Sequence, residues 1–392
     1  MLRLISLAAF CSMASMRVCD PMLVALSLEY KITTGDASAV IAAFAVAYGV
    51  LQLVYGPLGD RVGKVRVIIG ATAACAVFSA MTALAPSFSL LVVARAAMGA
   101  AAAGIIPLSM AWIGDEVAYE QRQETLARLM VATVTGMMAG QWFGGFATET
   151  LGWRAALLAL TGYAVLTLAL VALRMPETLA RPNPHALQPG VLLRTWGTVL
   201  RHPTFWAFSL LTTAAYGGLF TFLASSSFVF IEVLGLSRTQ YGWVLLSTAL
   251  AYFVGTFVCR TLLARHGLRR TVALAGALSL SGGTLMTLVA WAGWHQPWAL
   301  LAPFYLFMLG HGIHQPCGQS GAVGPFPQAA GVASALNGFM MMLAAFAIGG
   351  WVGAHLDGSI WPLVNGVWFW SVLLAAIAWT LVQQFGEPRE RP

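Results

Sequence analysis

The chain alternates long apolar runs with short polar breaks. Windows of about 20 residues, the length an α-helix needs to cross the hydrocarbon core of a bilayer, give twelve apolar segments. They fall near 4–28, 37–58, 66–86, 89–113, 126–148, 153–173, 204–234, 239–263, 270–293, 297–317, 329–353 and 361–383. Lipid offers no partner for backbone amides, so only helices and closed barrels can span it. The runs are continuous rather than alternating, which predicts helices and an all-α polytopic membrane protein. The first ten residues could pass for a signal peptide, but the apolar stretch simply continues, so an uncleaved first helix is expected.

The breaks carry the organisation. Residues 174–203 turn polar and contain Pro176, Pro182, Pro184, Pro189 and Pro203. This predicts a six-helix bundle over 1–173, a linker over 174–203, a second six-helix bundle over 204–384 and a tail over 385–392. The halves echo each other. Gly63 matches Gly267 at an offset of 204, and Gly144-Gly145 matches Gly349-Gly350 at an offset of 205. At the first match Asp60 aligns with Ala264, so only the first copy keeps its acid.

Composition agrees with the pattern. The chain is 59% hydrophobic and 9% charged, whereas soluble domains carry about 25% charged residues. The net charge of +7 does not argue for nucleic acid, because the basic residues gather in alternate breaks. Sixteen of the 21 Lys and Arg, among them Arg61, Lys64, Arg66, Arg122, Arg181, Arg269, Arg389 and Arg391, face one side, against Lys31, Arg154 and Arg238 on the other. By the positive-inside rule both termini are expected in the cytoplasm. The five cysteines, Cys11, Cys19, Cys75, Cys259 and Cys317, are scattered and predict free thiols rather than a disulfide framework or a metal site.

Four motifs carry a resemblance. The polar turn Gly56-Pro57-Leu58-Gly59-Asp60-Arg61-Val62-Gly63-Lys64-Val65-Arg66 resembles the signature loop of the major facilitator superfamily of secondary transporters. Leu91-x-x-x-Arg95-x-x-Met98-Gly99 is similar to that family's fourth-helix motif, with Met98 in place of the usual Gln. Gly136-x-x-x-Gly140-Gln141-x-x-Gly144-Gly145 resembles its antiporter motif, with Gln141 in place of Pro. The aromatic stretch from Tyr216 and Phe220 to Glu232, then Gly310-His311-Gly312-Ile313-His314-Gln315-Pro316, then the segment from Pro325 to Phe339, look like the Bcr/CflA branch of drug–proton antiporters. The resemblance implies the major facilitator fold of two pseudo-repeats. It also implies a conformational latch at Gly56, Asp60, Arg61, Gly63, Lys64 and Arg66, where Asp60 pairs with neighbouring helix ends. Plain loop charges that set topology are the alternative. For Gly136, Gly140, Gly144 and Gly145 it implies an exporter, and a smooth face for close helix packing is the structural alternative.

The candidate chemistry lies inside the membrane. Asp20 sits in the first helix between Arg17 and Pro21. A mid-helix charge costs about 2.5–3.5 kcal/mol on insertion scales, so it needs a partner, water or a proton. It reads as a protonatable coupling site, or else as a structural pair with Arg17 three residues earlier. Arg95 cannot release its proton, so it would tune a nearby carboxylate, or snorkel to an interface. Ser12 stands where several members of that branch carry a second acid, so the resemblance does not support coupling to more than one proton here. His311 and His314 would line the cavity or relay protons rather than bind metal. With Tyr48, Gln52, Gln141, Tyr216, Phe220 and Asn337 they are the expected cavity residues.

These readings converge on proton-coupled efflux of small amphipathic organic compounds or drugs by alternating access. The alternative is import or uniport of a small metabolite on the same fold. The protein would be a monomer of the inner (cytoplasmic) membrane with a small-molecule substrate, the bilayer as its other partner, no nucleic acid and no cofactor beyond the coupling proton. Gly63-Lys64 lacks the other residues of a P-loop. No polar catalytic cluster supports an enzyme.

Overall fold

The computed structural model describes residues 1–117, 119–179, 182–184, 186–326, 329–355 and 358–386, with backbone only at 34–35, 119–124, 127 and 238–239. Arg181, Arg389, Arg391 and the tail beyond Gly386 lie outside the described residues, as do the side chains of Arg122 and Arg238.

The fold is helical, and no strand occurs among the described residues. Helices α1 (Leu2–Tyr30), α2 (Ala39–Val62), α3 (Lys64–Ala83) and α4 (Phe88–Glu116) open the chain. Next come α5 (Tyr119–Thr150), α6 (Trp153–Arg174) and α7 (Pro203–Val233). One long helix, Arg238–Trp291, bends at Gly267 into two limbs, α8 and α9. The chain closes with α10 (Pro297–Val323), α11 (Ala330–His355) and α12 (Trp361–Phe385). Nine helices among the described residues are long and apolar enough to cross a bilayer, and the Gln240–Trp291 stretch, at 52 residues, has length for two crossings. The polar side chains of Gln141 in α5 and of His311, His314 and Gln315 in α10 dilute those helices.

Three departures from the sequence reading matter. The signature region is not a polar turn of a dozen residues. Helix α2 runs on to Val62, α3 starts at Lys64, and Gly63 alone makes the corner at φ 116° and ψ 134°. Gly267 does the same between α8 and α9 at φ 71° and ψ 176°. Both conformations suit a residue without Cβ, so the repeat is conserved as backbone geometry. The predicted linker contains a helix of its own, Pro189–Leu200. Finally, α1 and α4 are interrupted. The first helical stretch of α1 ends at Arg17 and resumes at Leu23 after a 3₁₀ turn at Asp20–Met22. Helix α4 breaks between Ala102 and Ile105.

The chain forms two compact units: Met1–Thr198 with Pro327–Met342, and Val199–Phe326 with Leu343–Pro392. Helix α11 is thus shared, its first half belonging to the first unit.

Candidate functional site

In the first unit the site grows from the break in α1. Pro21 has no N–H to donate, and a helix end leaves its last carbonyls without intrahelical donors. Arg95, fully buried on α4, supplies them. Its Nη1 donates to the Ser15 carbonyl at 2.8 Å and its Nη2 to the Met16 carbonyl at 3.4 Å. Its Nε donates to the Val40 carbonyl of α2 at 3.4 Å, and the guanidinium lies 4.4 Å from the centroid of the Phe44 ring. Nη1 is also 3.5 Å from the Sδ of Met98, which therefore occupies the Gln position as a weak acceptor. Arg95 is a cation at a helix C-terminus, the favourable end of the helix dipole, and it does not snorkel. Its planar fork is what allows several carbonyls to be served at once.

Beside this break Arg17 Nη1 donates to Asp20 Oδ2 at 2.7 Å. Arg17 is buried, the Asp20 side chain is 12% exposed, and Asp20 Oδ1 has no hydrogen-bond partner. The structural pair and the candidate proton site are therefore one arrangement: a carboxylate held by one oxygen while the other is unused. Ser12, at the position lacking an acid, donates instead to the Ala102 carbonyl at the break in α4.

Helix α5 makes room for this. A Cβ on Gly136 would lie 2.6 Å from the Phe10 carbonyl oxygen, and one on Gly140 would lie 2.6 Å from the Ala14 Cα. A Cβ on Gly144 would meet the Val18 carbonyl, while one on Gly145 would lie 3.5 Å from the Pro21 Cβ. The four glycines follow α1 turn by turn through the interruption. Gln141 is buried beside them, and α5 stays continuous without the usual proline.

Along α2, Phe44, Tyr48 and Gln52 recur every fourth residue on one face. Phe44 and Tyr48 stack at 6.0 Å, and the Gln52 carboxamide fills the space beside Gly338, its Cδ 2.7 Å from where a Cβ would sit. Asn337, fully buried, is adjacent. Phe44 escaped the sequence reading, although its spacing from the nominated Tyr48 and Gln52 was the available signal.

The latch residues also gain partners. Gly56 meets the Gly331 backbone. Lys64 Nζ pairs with Asp115 at the end of α4. The Asp60 carbonyl accepts the Asn183 amide at 3.0 Å. Glu177 of the linker accepts the Arg66 amide at 3.0 Å and fills the space above Gly63. Arg61 is exposed. Neither Asp115 nor Glu177 was nominated, because nothing in one dimension links them to the corner.

The second unit holds Tyr216, Phe220, His311 and His314. Phe222, Phe304 and Phe307 form a stacked column with centroid spacings of 4.0 and 5.6 Å, and Phe307 passes it on to His311 at 6.4 Å. Tyr252 of α8 closes on His311 at 5.5 Å. Both imidazoles are buried, and His311 Nδ1 and both ring nitrogens of His314 have no hydrogen-bond partner. No cluster of three or more His, Cys, Asp or Glu is present among the described residues. Tyr216 and Phe220 stand 6.0 Å apart.

Two surface grooves, of about 550 and 430 Å³, are wholly apolar and contain none of the nominated residues. One is lined by α2 and α4 from Ala39 to Ala96, the other by Val77, Ala80, Met81, Leu84 and Leu90.

Repeated helices long and apolar enough to cross a bilayer, with Arg17 and Arg95 buried among them, define a polytopic membrane protein. The chain belongs to the Major Facilitator Superfamily, whose family model matches residues 5–350, and this makes it a transporter of a small molecule rather than an enzyme. The chain is 28% identical over 344 residues to Multidrug resistance protein D of Escherichia coli (strain K12), covering 86% of this chain and 84% of that protein. It is 22% identical to the Bicyclomycin resistance protein homolog of Haemophilus influenzae (strain ATCC 51907 / DSM 11121 / KW20 / Rd), over 80% and 77% of the two chains. Among solved structures, the human organic anion transporter MFSD10 (TETRAN) superposes with a TM-score of 0.74 at 17% identity, over 97% of this chain and 98% of that one, a likeness of fold.

Proposed function

We propose that this transporter exports small amphipathic organic compounds in exchange for protons, by alternating access, from the cytoplasm of a bacterial cell. The observation that carries the reading is the largely buried Arg17–Asp20 pair at the break in α1, in which Asp20 Oδ1 has no hydrogen-bond partner. Protonation of Asp20 removes the charge that holds Arg17 and leaves a neutral acid. Deprotonation restores the pair. A group that switches charge inside the membrane beside a break in its own helix can couple a proton to a change of that helix. Arg95 keeps a fixed positive charge nearby and pins the carbonyls on the other side of the break. The relatives described by drug or bicyclomycin resistance support export rather than import. On this reading both termini are cytoplasmic, the protein works as a monomer, and the proton is the only coupling ion.

The test is transport in proteoliposomes with an imposed pH gradient and a lipophilic dye cation as probe. Asp20→Asn should abolish gradient-driven flux while dye binding, read by thermal shift, is kept. Wild-type flux that persists after a protonophore collapses the gradient, or a wild-type pH profile in Asp20→Asn, refutes proton antiport through this residue.

A further inference from the structure

Helices α8 and α10 meet at backbone contact. A Cβ on Gly255 would strike the Leu309 carbonyl and lie 3.0 Å from its Cα. A Cβ on Gly312 would strike the Tyr252 carbonyl and lie 2.9 Å from the Thr256 amide. One turn further along the same contact, Cys259 and Cys317 face each other with 3.6 Å between their sulfurs, at 3% and 1% exposure. The Cys259 sulfur also lies 3.9 Å from the Ile313 carbonyl. The helices thus advance in step, and the glycines that draw them together bring the two thiols to one level.

This arrangement suits covalent closure. A disulfide needs Cα atoms about 4.4–6.8 Å apart and sulfurs at about 2.05 Å; here helices in backbone contact already hold the two sulfurs 3.6 Å apart. Structural zinc, by contrast, wants four ligands, and the described residues offer no third His, Cys, Asp or Glu here.

We propose that Cys259 and Cys317 form a redox-modifiable dithiol, which an oxidant of the peroxide class converts to a disulfide that clamps α8 to α10. One sulfur attacks a peroxide oxygen; the O–O bond breaks, leaving a sulfenic acid and releasing water. The second sulfur attacks the sulfenic sulfur; the S–S bond forms, the S–O bond breaks and a second water leaves with the remaining thiol proton. Two thiols and one hydrogen peroxide thus give one disulfide and two waters, with two electrons passing from sulfur to peroxide. In each attack the sulfur acts as its thiolate, and the proton it gives up passes to the departing hydroxide to make the water, so no net charge is left at the site. Held this close, the second thiol reacts intramolecularly and outruns further oxidation of the first. The clamp lies on the same α8–α10 contact that carries Tyr252 against His311.

The experiment treats the purified full-length protein in detergent with hydrogen peroxide, then denatures it and counts free thiols by maleimide mass shift. Of the five cysteines, wild type should lose two and regain both with a reductant, and a peptide bridging Cys259 and Cys317 should appear by mass spectrometry. A Cys11→Ser, Cys19→Ser, Cys75→Ser variant should lose its remaining two thiols. Cys259→Ser and Cys317→Ser should each form no bridge and lose at most one thiol. Equal thiol loss in Cys259→Ser and wild type, a bridge to another cysteine, or oxidation to sulfinic acid without a bridge overturns the proposal.

Discussion

The two copies of one glycine motif predict opposite outcomes for the same substitution. At Gly140 an added methyl would sit 2.6 Å from Ala14 Cα and 2.7 Å from its carbonyl oxygen. Both are backbone atoms and cannot swing away, so α1 and α5 must separate. Overpacking costs about 1–3 kcal/mol, against a gain of about 0.8–1.0 kcal/mol from replacing Gly by Ala in a helix. The net loss is up to about 2 kcal/mol, and it falls on the stretch of α1 leading into the Arg17–Asp20 break. At Gly350, the pseudo-repeat partner of Gly145, nothing lies within 4 Å, and at Gly349, the partner of Gly144, the nearest atom is at 3.9 Å. Gly350→Ala keeps the propensity gain alone. Thermal unfolding in detergent, paired with dye transport in proteoliposomes, reads both. Gly140→Ala should melt several degrees below wild type and lose transport, while Gly350→Ala should melt at or above wild type and transport normally. Equal melting shifts would show that the glycines do not act through the contact with α1.

Other substitutions separate the remaining roles. Asp20→Asn leaves Arg17 buried without its counter-charge and should lose about 3–5 kcal/mol, much of which Arg17→Met/Asp20→Asn recovers without restoring transport, as paired melting and flux measurements would show. Arg95→Lys keeps the charge but replaces a planar fork by a point charge, so it should lose about 1.5–3 kcal/mol for a charged hydrogen bond given up, read as a lower melting temperature. Glu177→Ala removes the side-chain acceptor at the start of α3 and should cost about 0.5–2 kcal/mol, with faster hydrogen exchange at the Arg66 amide as its local signature. Phe304→Ala opens the stacked column of the second unit and should cost about 3–5 kcal/mol in unfolding experiments.

The sequence by itself determined the long apolar helices, though not the linker helix or the breaks in α1 and α4, because the cost of an unsatisfied peptide group in lipid acts on every residue separately and leaves its mark as apolar run length. It matched Gly63 with Gly267 as a repeat, but that each glycine alone makes a corner, at positive φ, was visible only in the structure. Charge inside an apolar run marked Arg17, Asp20 and Arg95 for the same local reason. What only the tertiary structure decided is what those residues touch. The partners of Arg95 are carbonyls of Ser15, Met16 and Val40, groups that every residue carries and no motif can reveal. Glu177 reaches the corner across 111 residues. Gly144-Gly145 and Gly349-Gly350 look alike in the sequence, yet one pair is pressed against α1 and the other is open. Burial cost is paid residue by residue, so it can be read along the chain; pairing depends on which helices come to lie side by side, and that is known only once they have packed.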